Sequence, residues 1–232
     1  MYFCHSAAIW AAFPALVPGV MLVEGVRPDA QALPLLEPLF EQARARLAAT
    51  PESAMPEVQA WRQVFGQMGL KPTQYRSAAE ALLRRFRKEG ALPSLHPLVD
   101  ACNAASLAFA LPVAVLDLDH VAGFLEVRQA LGDEVYLSFG GEIEHPEPGE
   151  VIFADAEGHA HARRWVFRQS RQSTVGAATR RALIVCEGQH AGAAQDVPAL
   201  LGALAGVLDA LGMRSTPPAV LRADAPRWQP TP

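Results

Sequence analysis

The stretch from Leu92 to Asp119, LPSLHPLVDACNAASLAFALPVAVLDLD, constrains the fold more than any other part of the chain. Two prolines bracket it. Pro97 suits the first turn of a helix, where its missing N–H costs nothing, and Ser94 or His96 stands just ahead as a capping side chain. Leu98, Cys102, Ala105 and Phe109 recur at helical spacing, which predicts one buried face. Pro112 ends the helix, and VAVLDLD reads as a short strand. Asp100, Asn103 and Ser106 fall on a flanking face of the same helix. Short polar side chains are poor helix formers because each can bond the backbone instead. Two readings of that face stay open: a functional surface, or three side chains bonding neighbouring backbone.

Around this centre the periodicity predicts a short apolar strand at Ala7–Phe13, a second strand over Gly19–Val26, and helices over Pro34–Ala49 and Pro56–Met68. Ser77 followed three residues later by Glu80 has capping-box spacing, and Gly90 is a suitable residue just past a helix end, so a further helix lies between them. After the central helix the pattern turns to strands: Gly123–Ala130, Glu134–Phe139, Glu150–Asp155, a return strand His159–Phe167, and Ala182–Cys186. Gly140-Gly141 and Glu157-Gly158 mark turns. Asp196 is placed to cap a last helix, Val197–Leu211, and an edge strand at Ala219–Arg222 follows. Helices first, then short strands, then one helix predict an α+β (mixed α/β) fold with an antiparallel-rich mixed sheet flanked by helices.

Composition narrows the function classes. Half of the 232 residues are hydrophobic and 19% are charged, a balance that favours a packed core over disorder. The net charge of −4 exerts no general pull on nucleic acid, so RNA binding would need a local basic patch. Cys4, Cys102 and Cys186 are too few and scattered for a disulfide framework or a cysteine zinc site, which leads to reduced thiols and a cytoplasmic location as expectations. No apolar run is long enough for a bilayer, and the apolar N-terminus lacks a basic leader and reads as core strand and loop.

Several chemistries have no motif here. There is no GxGxxG opening a helix, no P-loop lysine and no GxSxG elbow. His159 and His161 share one strand face, but no third ligand has credible spacing, and a solvated face is the simpler reading; no metal and no cofactor are called for. Two basic clusters remain. Arg84, Arg85, Arg87 and Lys88 crowd the end of the Ser77–Gly90 helix, with Lys71 and Arg76 nearby; dipole compensation and phosphate contact both explain them. In ARRWVFRQSRQST, Arg163, Arg164, Arg168 and Arg171 surround Trp165 and Phe167, offering phosphate contacts and stacking faces, unless the aromatics are core and the arginines surface.

These residues resemble a family. LHPLVDACNAASLAFALPVAVLDLDHVAGFLEVRQALGDE is similar to the editing module of the phenylalanyl-tRNA synthetase beta chain, matching at Val99, Asp100, Asn103, Leu107, Pro112, Asp117, Leu118, Val127, Arg128, Ala130, Gly132 and Glu134. Free-standing relatives of that module carry a Trp-Arg pair, G-x-K-P, an E-A-L-L-R-R helix and R-R-W-x-x-R-Q. Here these are Trp61-Arg62, Gly69–Pro72, Glu80–Arg85 and Arg163–Gln169. The resemblance covers residues 55–190 of a single editing-domain-like domain over 1–232, with a loosely structured tail at 213–232.

The resemblance implies tRNA binding, with the aminoacylated 3′ end as partner, and hydrolysis of a mischarged aminoacyl ester in trans. It carries over Asn103, its neighbour Cys102 and Glu187 as catalytic candidates, and Ala114, Trp165, Val166 and His96 as substrate-binding positions. Ala114 stands where the family has a histidine. Asn103 would orient water or the ester, N–H groups near Val166 would hold the oxyanion, and Cys102 would shape the pocket. Lys71, Arg84, Arg85, Arg164 and Arg168 are the candidate RNA contacts. The alternatives are a non-catalytic RNA-binding module and an amino-acid or small-molecule binder using a degenerate pocket.

Overall fold

The computed structural model describes residues 1–230; the last two residues of the expected loose tail lie outside the described residues. Strand Phe3–His5 (β1) opens the chain. The segment after it, expected as a strand, is instead a helix, Ala7–Ala12 (α1), because the Ser6 hydroxyl accepts from the N–H of Ile9 and starts the turn. Strand Val17–Glu24 (β2) follows, then helices Leu33–Ala49 (α2), Pro56–Gln67 (α3) and Ala78–Glu89 (α4), all where periodicity put them. Ser77 caps α4 by accepting from the Glu80 N–H at 3.2 Å, and Gly90 ends it at a φ of 76°. The return arm of the capping box is absent, because Glu80 instead takes the Arg62 guanidinium with both oxygens, at 2.7 and 3.1 Å.

The central helix, Pro97–Phe109 (α5), and strand Val113–Asp117 (β3) follow the sequence reading closely. His96 is the cap: its Nδ1 accepts from the N–H of Leu98 at 3.2 Å. The strands that follow are Leu125–Gln129 (β4), Tyr136–Leu137 (β5), Ile143–Glu144 (β6), Val151–Asp155 (β7), Ala160–Arg163 (β8), Arg168–Gln169 (β9) and Arg181–Gly188 (β10). The last helix is Ala193–Ala210 (α6), and Arg214–Ser215 (β11), Ala219–Val220 (β12) and Arg227–Trp228 (β13) complete the chain. Helices, parallel and antiparallel pairings together make this an α+β fold with antiparallel-rich sheets. Among the described residues, no helix is long and apolar enough to cross a membrane.

Two sheets organise the molecule. One runs β13-β1-β4-β7-β8-β9, with β1 parallel to β4. The other runs β11-β2-β10-β3, with β12 also on β2. Strand alternation splits the second sheet's side chains between two cores. Met21, Val23, Val115, Ala182, Ile184 and Cys186 face α2, α5 and α6. Val20, Leu116, Leu183 and Val185 face the first sheet, α1 and α3. The register Val185↔Ala114 places Ala114 on this second face too.

Several expectations are corrected. The return strand stops at Arg163, because Arg164 and Trp165 adopt φ values of 50° and 60°, and the chain turns there. The strand over Glu134–Phe139 shrinks to Tyr136–Leu137. Asp196 does not cap α6; the helix starts one turn earlier, after Gly192, and Asp196 bonds His190. The 213–232 segment is not loose where described: β11 and β12 pair with β2 and β13 pairs with β1, since both sheets leave edges open to them.

Sheet and helix approach closely at Gly19 of β2. A Cβ there would stand 2.5 Å from Leu201 Cδ1 and 2.6 Å from Val197 Cγ1 of α6. Gly19→Ala is expected to cost about 1–3 kcal/mol through overpacking. Urea unfolding checks it; an unchanged midpoint would mean that α6 sits further from the sheet.

Candidate functional site

The alternation in β10 decides where a site can lie. Leu183, Val185 and Glu187 point to the same face, and Glu187 is the charged member of that row, 2% exposed. A cleft opens over it, walled by Pro112, Ala114, Phe153, Trp165, Val166 and Phe167 among others. Most of the lining is apolar, Arg168 and Gln169 also line the cleft, and its carboxylate is Glu187. Its partners come from two distant parts of the chain. The Trp165 indole N–H donates to both oxygens at 3.0 Å. The imidazole of His5, on β1 in the other sheet, donates to Oε1 at 2.6 Å. A buried carboxylate with charge-assisted hydrogen bonds is held in one orientation.

Trp165 reaches Glu187 from the left-handed turn. Two consecutive non-glycine residues at positive φ cost about 1–3 kcal/mol each and persist only where the surroundings over-determine them. The surroundings here are an ion cluster and an aromatic clamp. Arg163, 5% exposed, forks onto Glu150 at 2.8 and 2.9 Å and reaches Glu144 at 2.6 Å. Glu150 also accepts from the Arg164 N–H at 3.0 Å. The Trp165 ring meets Phe13 and Trp61 edge-on at 4.9 and 5.2 Å, and the Ala78 N–H donates to the Val166 carbonyl at 2.8 Å. Turn, α3 and the start of α4 thus close around one indole.

The outer side of the same turn is a cationic and aromatic surface. Arg164 lies over the ring of Tyr75 at 4.7 Å and of Phe167 at 5.8 Å, and those rings meet edge-on at 5.3 Å. A groove runs past Leu70, Tyr75, Pro148 and Arg164. Among the described residues, neither Arg164 nor the exposed Lys71 has a carboxylate in ion-pair range. The other three basic candidates do. Arg84 and Arg85 reach Glu52 and Glu89 at 3.7 and 2.9 Å, and Arg168 reaches Glu144 at 2.6 Å. The α4 cluster is therefore largely internal ion pairing, and neither open reading of 162–174 holds whole: Trp165 is core, Arg163 is buried with it, and Arg164 and Phe167 stay partly exposed.

The remaining sequence candidates lie elsewhere. Cys102 belongs to the core on the helix side of the second sheet, opposite the Glu187 face. Asn103 lines a separate small recess with Leu33, Phe40, Leu92, Ser94 and Asp100. The Asp100 carboxylate accepts from Ser94 Oγ and the Leu95 N–H, at 2.7 and 2.9 Å, and Ser106 Oγ donates to the Leu111 carbonyl at 2.6 Å. The polar face of α5 thus does backbone work at Asp100 and Ser106. His96 is spent on the cap, and burial pushes its ring below the usual histidine range against the pull of Asp100. The structure therefore brings Glu187, Ala114, Trp165 and Val166 together and separates Asn103, Cys102 and His96 from them. His5 was missed: it lies outside the recognised stretch, and no spacing links it to Glu187.

Burial raises all three thiols. It pushes Cys4 up to about 11, with Glu126 adding and Arg227 opposing, and pushes Cys102 well up. Cys186 rises by burial first, then through Glu187 and Cys102. The thiolate is the nucleophile, so none of the three is expected to react with a thiol reagent at pH 8 while the chain is folded. Thiol counting before and after unfolding checks this; one rapidly labelled native cysteine would contradict it.

The strand histidines are not on a solvated face. His161 is fully buried with its Nε2 3.1 Å from Asp155 Oδ2, and His159 Nδ1 is 3.2 Å from the same oxygen. Burial alone would raise Asp155, but His161 and the N–H groups of His159 and Ala122 hold it far below the usual carboxylate range.

Comparison with known proteins comes to the same region of the chain. A family model for the B3/4 domain matches residues 60–196. The phenylalanine–tRNA ligase beta subunit of Photorhabdus laumondii subsp. laumondii is 25% identical over 157 residues, which are 68% of this chain and 19% of that protein, so the chain spans about a fifth of that relative's length. An N-terminal fragment of the phenylalanyl-tRNA synthetase beta subunit from Pyrococcus horikoshii superposes with a TM-score of 0.45 and 12% identity, over 92% of this chain and 49% of that one.

Proposed function

The chain belongs to the B3/4 domain family, and from that premise we propose that it binds the aminoacylated 3′ end of tRNA and hydrolyses mischarged aminoacyl esters in trans. The observation that carries the reading is Glu187, a fixed carboxylate in a mostly apolar cleft. An aminoacyl ester is already activated and needs a placed water more than a protein nucleophile. Holding ester and water in attack geometry can supply about 7–11 kcal/mol of the barrier in favourable cases. In this reading Glu187 receives the α-ammonium group of the amino acid, and Ala114, Val166 and Phe167 surround its side chain. Arg164, Tyr75 and Phe167 offer a stacking and phosphate-binding surface to the terminal nucleotides. Lys71 extends the cationic side. The free hydroxyl of the terminal ribose assists proton transfer.

One observation favours a second reading. Ala114, and not a proton-carrying side chain, occupies the wall where the resemblance has its histidine, which suits a tRNA-binding module without turnover. A panel of mischarged tRNAs separates the two. The first reading expects at least one to lose its amino acid about tenfold or more faster than in buffer, a barrier change of about 1.4 kcal/mol. Salt-sensitive tRNA binding with no accelerated loss from any member would leave the second; no tRNA binding at low salt would end both.

A further inference from the structure

Away from the cleft, three donors converge where helix α3 meets the connection between β10 and α6. Glu57 opens α3, His190 lies in the connection, and Asp196 sits in the first turn of α6. One ligand atom from each lies within 4.8 Å of the other two. The Glu57 and His190 side chains are 7% and 5% exposed. Each keeps a buried polar atom without a partner among the described residues: Oε2 of Glu57 and Nδ1 of His190. The second oxygen of Glu57 takes Arg46 Nη2 at 2.5 Å, and His190 Nε2 lies 2.8 Å from Asp196 Oδ2. Buried polar atoms in native proteins nearly always have a partner, so an orphan atom on each of two of these three residues points to something that binds there.

We propose that Glu57, His190 and Asp196 form a binding site for a divalent transition-metal cation of the zinc class. The donor set is one imidazole and two carboxylates, which suits a borderline cation and leaves a fourth position for water. Tetrahedral zinc with bonds of about 2.0–2.1 Å spaces its donors about 3.3 Å apart, so side-chain shifts of about 1 Å complete the site. Charge agrees: two carboxylates against the Arg46 guanidinium leave one negative charge before the cation arrives. Gly192 keeps the loop clear, since a Cβ there would stand 3.1 Å from Asp196 Oδ2 and 3.2 Å from His190 Nε2. The bound ion clips α3 to the end of β10. Those elements carry Trp61, which supports Trp165, and Glu187, so the clip braces both sides of the cleft without taking part in its chemistry.

The test is titration of the full chain, stripped with EDTA, with zinc chloride in competition with a chromophoric chelator. The expected result is one equivalent bound with a Kd of about 10 μM or tighter. Glu57→Gln and His190→Ala weaken it about thirtyfold or more, and zinc raises the Tm of the parent chain but not of these two variants. If His190→Ala does not fold, by circular dichroism, Asp196→Asn at its partly exposed position replaces it. A His159→Ala/His161→Ala variant keeps full uptake. No saturable uptake would overturn the proposal. So would uptake that survives in both Glu57→Gln and the second variant, or uptake lost with His159 and His161.

Discussion

Glu187→Ala is expected to abolish deacylation of every mischarged tRNA that the parent chain hydrolyses, and to destabilise the fold by about 3 kcal/mol. The stability loss follows from the donors left behind. The His5 imidazole and the Trp165 indole N–H both end on this carboxylate inside the protein. An unsatisfied buried donor costs about 1–3 kcal/mol. Glu187→Gln retains an acceptor oxygen for one of them, so it recovers part of the stability, while under the proposed function the substrate's α-ammonium group still loses its charged partner. Urea unfolding and single-turnover deacylation on both variants separate the two effects. A Glu187→Ala chain with parent-like stability and turnover would remove the cleft from consideration.

The second large effect is expected at Arg163. Arg163→Met breaks a fork to Glu150 and a bond to Glu144 while leaving Glu150 buried, its side chain 8% exposed. Removing one partner of a buried ion pair costs about 3–5 kcal/mol, because the other charge stays desolvated and uncompensated. Arg163→Lys does not rescue it fully, since an ammonium cannot reproduce the bidentate geometry. Arg163→Met/Glu150→Met, which removes both charges, recovers part of the loss, giving a coupling energy of about 0.5–3 kcal/mol. Because Glu150 also anchors the Arg164 N–H, the single variant is expected to loosen the Trp165 turn and, under the proposed function, to slow deacylation as well. Equal stability of single and double variants would show that the fork contributes little.

The legible parts of this chain share one property: their signals are local. The α4 helix could be read from Ser77, the apolar face at Leu83 and Phe86, and Gly90, because a cap, a stripe and a stop all act within one helix. The central helix between Pro97 and Pro112 is of the same kind. The Trp165 segment misled for a local reason too. Alternation across 159–167 suggests one strand, but the Arg163 fork and the aromatic clamp hold two residues at positive φ, and tertiary contacts outweigh strand preference.

The candidate site divides along the same line. Parity in β10 was available from the residues: Val185 and Glu187 on one face, Cys186 on the other. Which face received α5 was not. That placement put Cys102 in the helix-side core and left Asn103 at a recess away from Glu187, although the family resemblance groups all three. His5 meets Glu187 across 182 residues, a distance at which no spacing rule operates.

The order of residues by itself determined the helices from α2 onward, most strands, the α+β class and the family resemblance, because caps, periodicity and turns are short-range preferences of the backbone. Only the tertiary structure decided that a carboxylate from one sheet, an imidazole from the other and an indole from a left-handed turn meet beneath one cleft. Burial joins side chains by where their surfaces fit, and that fit is settled only when both sheets close on their common core.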